Sequence, residues 1–126
     1  MANAVNWFEI PAADFGRAVA FYSKVLNCDM QSFEQAMPDG SKMSFFPHDQ
    51  ATSVGGAIAY GPMWKPSADG SVVYLNGGDD LGVPLSKVEA AGGKVVMPKT
   101  KISDEVGYIG MFIDSEGNRV AFHSRG

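Results

Sequence analysis

A single cysteine, Cys28, occurs in the 126 residues. No intrachain disulfide can form, and a cysteine-stapled secreted scaffold is excluded. An excess of basic charge is also missing. Ten Lys and Arg against 14 Asp and Glu leave a net charge of −4, so the chain has no basic stripe to neutralise phosphates. Neither a nucleic acid nor an anionic membrane is expected as a partner. No apolar run approaches the roughly 20 residues that cross a bilayer. The segment from Met1 to Val5 has no basic stretch leading into an apolar core, so no signal peptide is expected. A cytoplasmic location is the resulting expectation. Gly-Lys-Ser/Thr phosphate loops, Gly-x-Gly-x-x-Gly fingerprints and Gly-x-Ser-x-Gly elbows are absent as well, which removes several nucleotide-binding and hydrolase classes.

What is present is ordinary for a globular chain. Hydrophobic residues make up 45% and charged residues 19%, enough to bury one real core but not two. Fifteen glycines and seven prolines favour many short elements over a few long helices. Val5 to Ile10 alternates with β-branched and aromatic residues and predicts a strand, ended by Pro11. Asp14 is placed to cap a helix whose buried stripe is Phe15, Ala18, Val19, Tyr22, Val25 and Leu26. Asn27 suits the left-handed residue after it. Strands are expected at 30–33, 42–46 and 56–60, with Asp39-Gly40 turning the hairpin between the first two.

The second half repeats this order. A strand is expected over 71–76, with Asp79-Asp80 at a helix start and Leu81, Leu85 and Val88 as its buried stripe. Pro84 is tolerated only in the first turn, so the helix should begin near Gly82. Gly92-Gly93 stops it, and strands follow at 94–97, 108–114 and 119–124, with 115–118 as the last hairpin turn. Asp14-Phe15-Gly16 corresponds to Asp80-Leu81-Gly82 at an offset of 66 residues. The chain thus reads as one α+β domain, 1–126, made of two βαβββ modules at about 1–62 and 70–126. The rigid segment 61–70 joins them. Each helix has one apolar face, so the sheets should form a curved, mixed cup with helices on the convex side.

Trp7-Phe8-Glu9-Ile10-Pro11, followed by Asp14, Arg17-Ala18 and Phe21 to Leu26, resembles the opening of glyoxalase-like domains. Val88 to Val96 and Asp114 to Val120 continue the likeness over nearly the whole chain. The sequence is accordingly identified as a member of the vicinal-oxygen-chelate superfamily, which includes glyoxalase I, bleomycin-resistance proteins and extradiol dioxygenases. The resemblance implies a cup of paired βαβββ modules and a homodimer whose cups the partner completes or flanks. In the superfamily's enzymes it also implies a divalent metal held by His, Glu or Gln.

The four metal-ligand positions implied by the resemblance fall at Trp7, the stretch Gly55 to Ala57, Val72 and Ala121. None offers a side chain that ligates a divalent ion. Shifting by one residue brings in Phe8, Val73 and Phe122, which are equally inert. No metal or other cofactor is therefore expected. Strand parity then nominates the residues beside those positions. If Trp7 faces the cup, so does Glu9; Val72 brings Tyr74 and Asn76, and Ala121 brings Arg119 and His123. The candidate ligand-binding set is Trp7, Glu9, Tyr74, Asn76, Arg119 and His123. The flat Trp7 ring suits stacking, with core filling as its alternative.

Two readings of function compete. In the first, a small organic molecule binds in an apolar cup without the superfamily's metal. In the second, the protein is a lyase or isomerase acting on a small oxygenated substrate. It would use Glu9 and His123 as a catalytic acid–base pair, or a non-standard metal site built from Glu9, His48 and His123. A third reading makes the dimer surface matter more than the cup. His48 in Pro47-His48-Asp49 is expected on a solvent-facing turn. Met37, Met43, Met63 and Met97 suit either an adaptable pocket or core filling, and Trp64 either a flap over the cup mouth or a packed linker.

Overall fold

The computed structural model describes residues 4–33, 37–49 and 53–126; Met1 to Asn3 of the N-terminal segment read above lie outside these. In chain order the elements are β1 (Trp7–Pro11), α1 (Phe15–Leu26), β2 (Gln31–Ser32), β3 (Lys42–Phe45) and β4 (Gly55–Tyr60). They continue with β5 (Tyr74–Asn76), α2 (Gly82–Leu85), β6 (Lys94–Ser103), β7 (Gly107–Ile113) and β8 (Arg119–Ser124). Two four-stranded mixed sheets result, ordered β1-β4-β3-β2 and β5-β8-β7-β6. In each, the first strand runs parallel to the last and the remaining pairs are antiparallel. The identical order confirms the repeated βαβββ plan and the α+β class.

Helix α1 forms where the spacing predicts. Asp14 is extended and its side chain accepts from the Arg17 N–H, while Asn27 adopts the left-handed conformation (φ 50°). Both ends of the helix are thus satisfied locally. Its buried residues Ala18, Phe21, Tyr22 and Val25 meet both sheets. Tyr22 packs edge-on to Phe46 of the first module, and Phe21 lies 6.0 Å from the Phe112 ring of the second. Large aromatics contribute much of the area removed from water here. One core, from Ile10 and Ile58 to Leu81, Val88 and Phe122, serves both modules.

Several boundaries differ from the expectation, each for a local reason. The first strand begins at Trp7 and keeps Pro11. Pro11 is tolerated because β1 lies at a sheet edge, where one side needs no N–H donor. The second strand shrinks to Gln31–Ser32 and the fifth to Tyr74–Asn76. The 94–97 strand instead runs on to Ser103 through Pro98. It too is an edge strand, and its pairing with β7 shifts register between Met97 and Thr100, around that proline. Helix α2 starts at Gly82, as Pro84 requires, but spans four residues before turns carry the chain to Gly93. Leu81, Leu85 and Val88 are nevertheless buried.

Candidate functional site

Edge strands β1 and β5 flank a cleft between the modules. Its larger part, about 860 Å³, is lined by Val5, Phe8 and Gly55-Gly56 on one side and Ser71 to Asn76 on the other. Leu26 and Cys28 from the end of α1, with Phe46, close its depth. The Cys28 thiol is held above its ordinary pKa, first by burial and then by Asp29; it is an apolar wall rather than a nucleophile. Phe8 lies over Gly56, where a Cβ would come within 2.2 Å of the ring, and stacks tilted on Phe46. The size falls within the roughly 300–1,000 Å³ of small-molecule sites, and the lining is mainly apolar, as in such sites.

A smaller cavity of about 150 Å³ adjoins it and shares Ser71 and Val73. Glu9 and Arg119 both line it, together with Lys65 and Asp69 of the linker. Each Glu9 oxygen accepts from an indole: Oε2 from Trp7 Nε1 at 3.3 Å and Oε1 from Trp64 Nε1 at 2.8 Å. Trp64 is thereby pinned to the first strand, and Gly61 and Trp64 form an isolated bridge that folds the linker back. Of the two alternatives for Trp64, the packed linker aromatic is the one observed.

Parity arguments place the other candidates correctly on their strands but disperse them among cavities. Tyr74 and His123 line a third cavity of about 440 Å³ with Ile102, Val106 and Ile109. Tyr74 also reaches the large cleft, as does Asn76, whose Oδ1 accepts from the Gly78 N–H. Trp7 is 43% exposed and Tyr74 47%, so neither is core filler; Trp7 makes an edge contact with Phe45. His123 Nε2 lies 2.5 Å from the Val106 carbonyl. A carbonyl only accepts, so Nε2 carries the proton. Glu9 and His123 therefore have different partners and no bond joins them.

His48 is exposed, as the turn implies, yet its ring fills the space a Gly55 side chain would take. Gly55 pairs with Trp7 across β1 and β4. Sequence reasoning left His48 out of the ligand-binding set; the vacant Cβ of Gly55 on the partner strand was the signal that a loop side chain could move in. Glu9, His48 and His123 each line a different cavity. Among the described residues no group of three or more His, Cys, Asp or Glu is placed to hold a metal ion. The positions that the resemblance implies for the superfamily's metal carry an indole, two glycines, two alanines and a valine, so the donor set does not fit that group.

Buried polar contacts hold the two modules, and hence the cleft, together. The Tyr22 hydroxyl donates to Asp114 Oδ2 at 2.7 Å. Burial first, and then the Asp114 charge, push this phenol well above its ordinary pKa. Asn118 Nδ2 donates to Asp114 at 3.0 Å and to the Pro11 carbonyl at 2.7 Å, while its Oδ1 accepts from Ser67 N. Glu116 accepts from the backbone N–H groups of Ala13 and Asp14 and from Arg17 at 2.7 Å. Burial raises the Glu116 pKa, but the Arg17 and Asp14 hydrogen bonds outweigh it and leave it below the ordinary value. The 115–118 turn, closed by Gly117 at φ 92°, is therefore a clamp on the start of α1 and the end of β1.

A sequence profile of the Glyoxalase/Bleomycin resistance protein/Dioxygenase superfamily matches residues 4–122. A comparison with curated proteins finds no match. Among solved structures, glyoxalase I from Zea mays superposes with a TM-score of 0.69 at 14% identity, over 96% of this chain and 44% of that one. This chain thus spans less than half of the maize chain. A glyoxalase/bleomycin resistance protein from Albidiferax ferrireducens T118 gives 0.70 at 13% identity, covering 98% of this chain and 100% of that one. TnmS3, an antibiotic binding protein from Streptomyces sp. CB03234, gives 0.66 at 20% identity, covering 100% and 99%. At these identities the superpositions speak for the fold. With the profile match and the duplicated βαβββ plan, the chain belongs to the Glyoxalase/Bleomycin resistance protein/Dioxygenase superfamily.

Proposed function

We propose that this protein binds a small organic ligand in the cleft between its modules and does so without the superfamily's metal. The observation that carries the reading is the cleft of about 860 Å³, walled by Phe8, Phe46, Val54, Val73 and Leu75. Apolar walls of this extent favour a ligand through the area removed from water. The inert side chains at Trp7, Val72 and Ala121 support the metal-free part, since none supplies an oxygen, imidazole or thiolate donor. Binding by a member of this fold has a counterpart in the Streptomyces protein described as antibiotic binding. A homodimer belongs to the same reading. Trp7, Phe33 and Tyr74, each more than 40% exposed, are large rings that a second copy would cover.

The test combines metal analysis with titration of a neutral apolar fluorophore, N-phenyl-1-naphthylamine. We expect substoichiometric zinc, nickel, iron and manganese, and saturable fluorescence enhancement that Val73→Trp abolishes by filling the cleft. Stoichiometric bound metal would refute the metal-free part. Binding that survives Val73→Trp unchanged would move the ligand elsewhere. A monomeric mass by light scattering would remove the dimer.

A further inference from the structure

We infer that the ligand is an amphiphilic anion, its apolar body in the large cleft and one carboxylate, sulfonate or phosphate in the adjoining cavity against Arg119 and Lys65. This rests on the cleft being the binding site. The two cavities share Ser71 and Val73 as lining residues, so they lie side by side, and the proposed ligand lies across both. Their characters differ sharply: the large one is walled by aliphatic and aromatic groups, whereas four ionisable side chains line the small one.

The sign of the headgroup follows from which of those four are engaged. Glu9 has a neutral donor on each oxygen, from Trp7 and Trp64, and so already has partners. Among the described residues, the side chains of Arg119 and Lys65 have no hydrogen bond, ion pair or ring contact. Arg119 sits at the first position of β8, a rigid strand end, and presents a guanidinium fork that matches a carboxylate or phosphate bidentately. Lys65 reaches the cavity from the linker that Trp64 anchors one residue away. Asp69 is the one opposing charge not engaged through its side chain. It lies on the exposed linker, and Arg119 and Lys65 are exposed as well, so the cavity sets two uncommitted cations against this one uncommitted carboxylate.

A matched pair of probes tests this. 8-Anilinonaphthalene-1-sulfonate and N-phenyl-1-naphthylamine share an apolar body and differ by the sulfonate. The anion is expected to bind at least about tenfold more tightly at low salt, as one charge-assisted contact to Arg119 aided by Lys65 allows. Arg119→Ala with Lys65→Ala should remove that difference and leave the neutral probe's Kd unchanged. The difference should also shrink in 1 M NaCl. Tighter binding of the neutral probe, equal affinity for both, or a preference that survives the double variant would overturn the inference while leaving the cleft as a binding site. If neither probe binds, the cleft reading fails and this inference with it. Thermal melts of the double variant check that it remains folded.

Discussion

Removing a single oxygen from the core tests whether the clamp between modules is energetically real. Tyr22→Phe deletes a hydroxyl whose residue is fully buried and which, among the described residues, makes one hydrogen bond, of 2.7 Å to Asp114. The ring stays, so the packing on Phe21, Phe46 and Phe112 stays, and no cavity larger than one oxygen is created. A hydrogen bond to a charged acceptor contributes about 1.5–3 kcal/mol. Asp114 keeps three donors, from Glu116 N, Asn118 N and Asn118 Nδ2, which argues for the middle of that range, about 2 kcal/mol. With an unfolding entropy of about 2.1 cal/mol/K per residue over a chain of this length, that is a fall in Tm of about 8 °C. The pH dependence supplies an independent check. The folded phenol has a raised pKa, so its contribution is complete below the unfolded value near 10 and is lost as pH rises above it. Differential scanning calorimetry at pH 7 and pH 10.5 should find the gap between wild type and variant narrowing at the higher pH. A fall in Tm below about 2 °C at pH 7, or a gap independent of pH, would refute the reasoning.

Glu116→Gln should leave stability near pH 7 lower and flatten its acid limb. The depressed carboxyl stabilises the fold above the unfolded pKa near 4.3 and loses that contribution as pH falls through the folded value, so urea midpoints at pH 7 and pH 3.5 should converge between the two proteins. Gly56→Ala sets a methyl against the Phe8 ring, which its Cβ would meet at 2.2 Å. We expect Phe8 to be driven into the cleft, a cost of about 1–3 kcal/mol, and a weaker affinity for the neutral fluorophore. A variant with unchanged melting and binding would show that Phe8 moves freely.

Much of the frame was legible in the chain because it is written in local rules. The Asp14 cap, the Asn27 terminus and the Phe15-to-Leu26 stripe depend on residues within a turn or two of each other. The Pro84 constraint on the second helix start is equally local. Strand ends were less legible, since Pro11 and Pro98 are tolerated only because their strands lie at sheet edges, which no local pattern reveals. Among the candidate residues, alternation put Trp7 with Glu9 and Arg119 with His123 on shared faces, as period two demands. It had no means of telling that Glu9 and Arg119 would line one cavity and His123 another.

By itself the sequence determined the duplicated βαβββ unit, through spacing, and the superfamily, through resemblance; it also shows that Trp7, Val72 and Ala121, the ligand positions the resemblance implies, carry no ligating side chain. Tertiary structure alone decided what occupies those positions instead. It laid His48 over Gly55, gave each Glu9 oxygen an indole donor, set a charged cavity beside an apolar cleft, and turned the 115–118 hairpin into a clamp on the first helix. The longest of these contacts, Glu9 with Trp64 and Glu116 with Asp14, join groups 55 and 102 residues apart. They are set by how two sheets and one shared core pack, and that packing is a property of the whole chain rather than of any stretch of it.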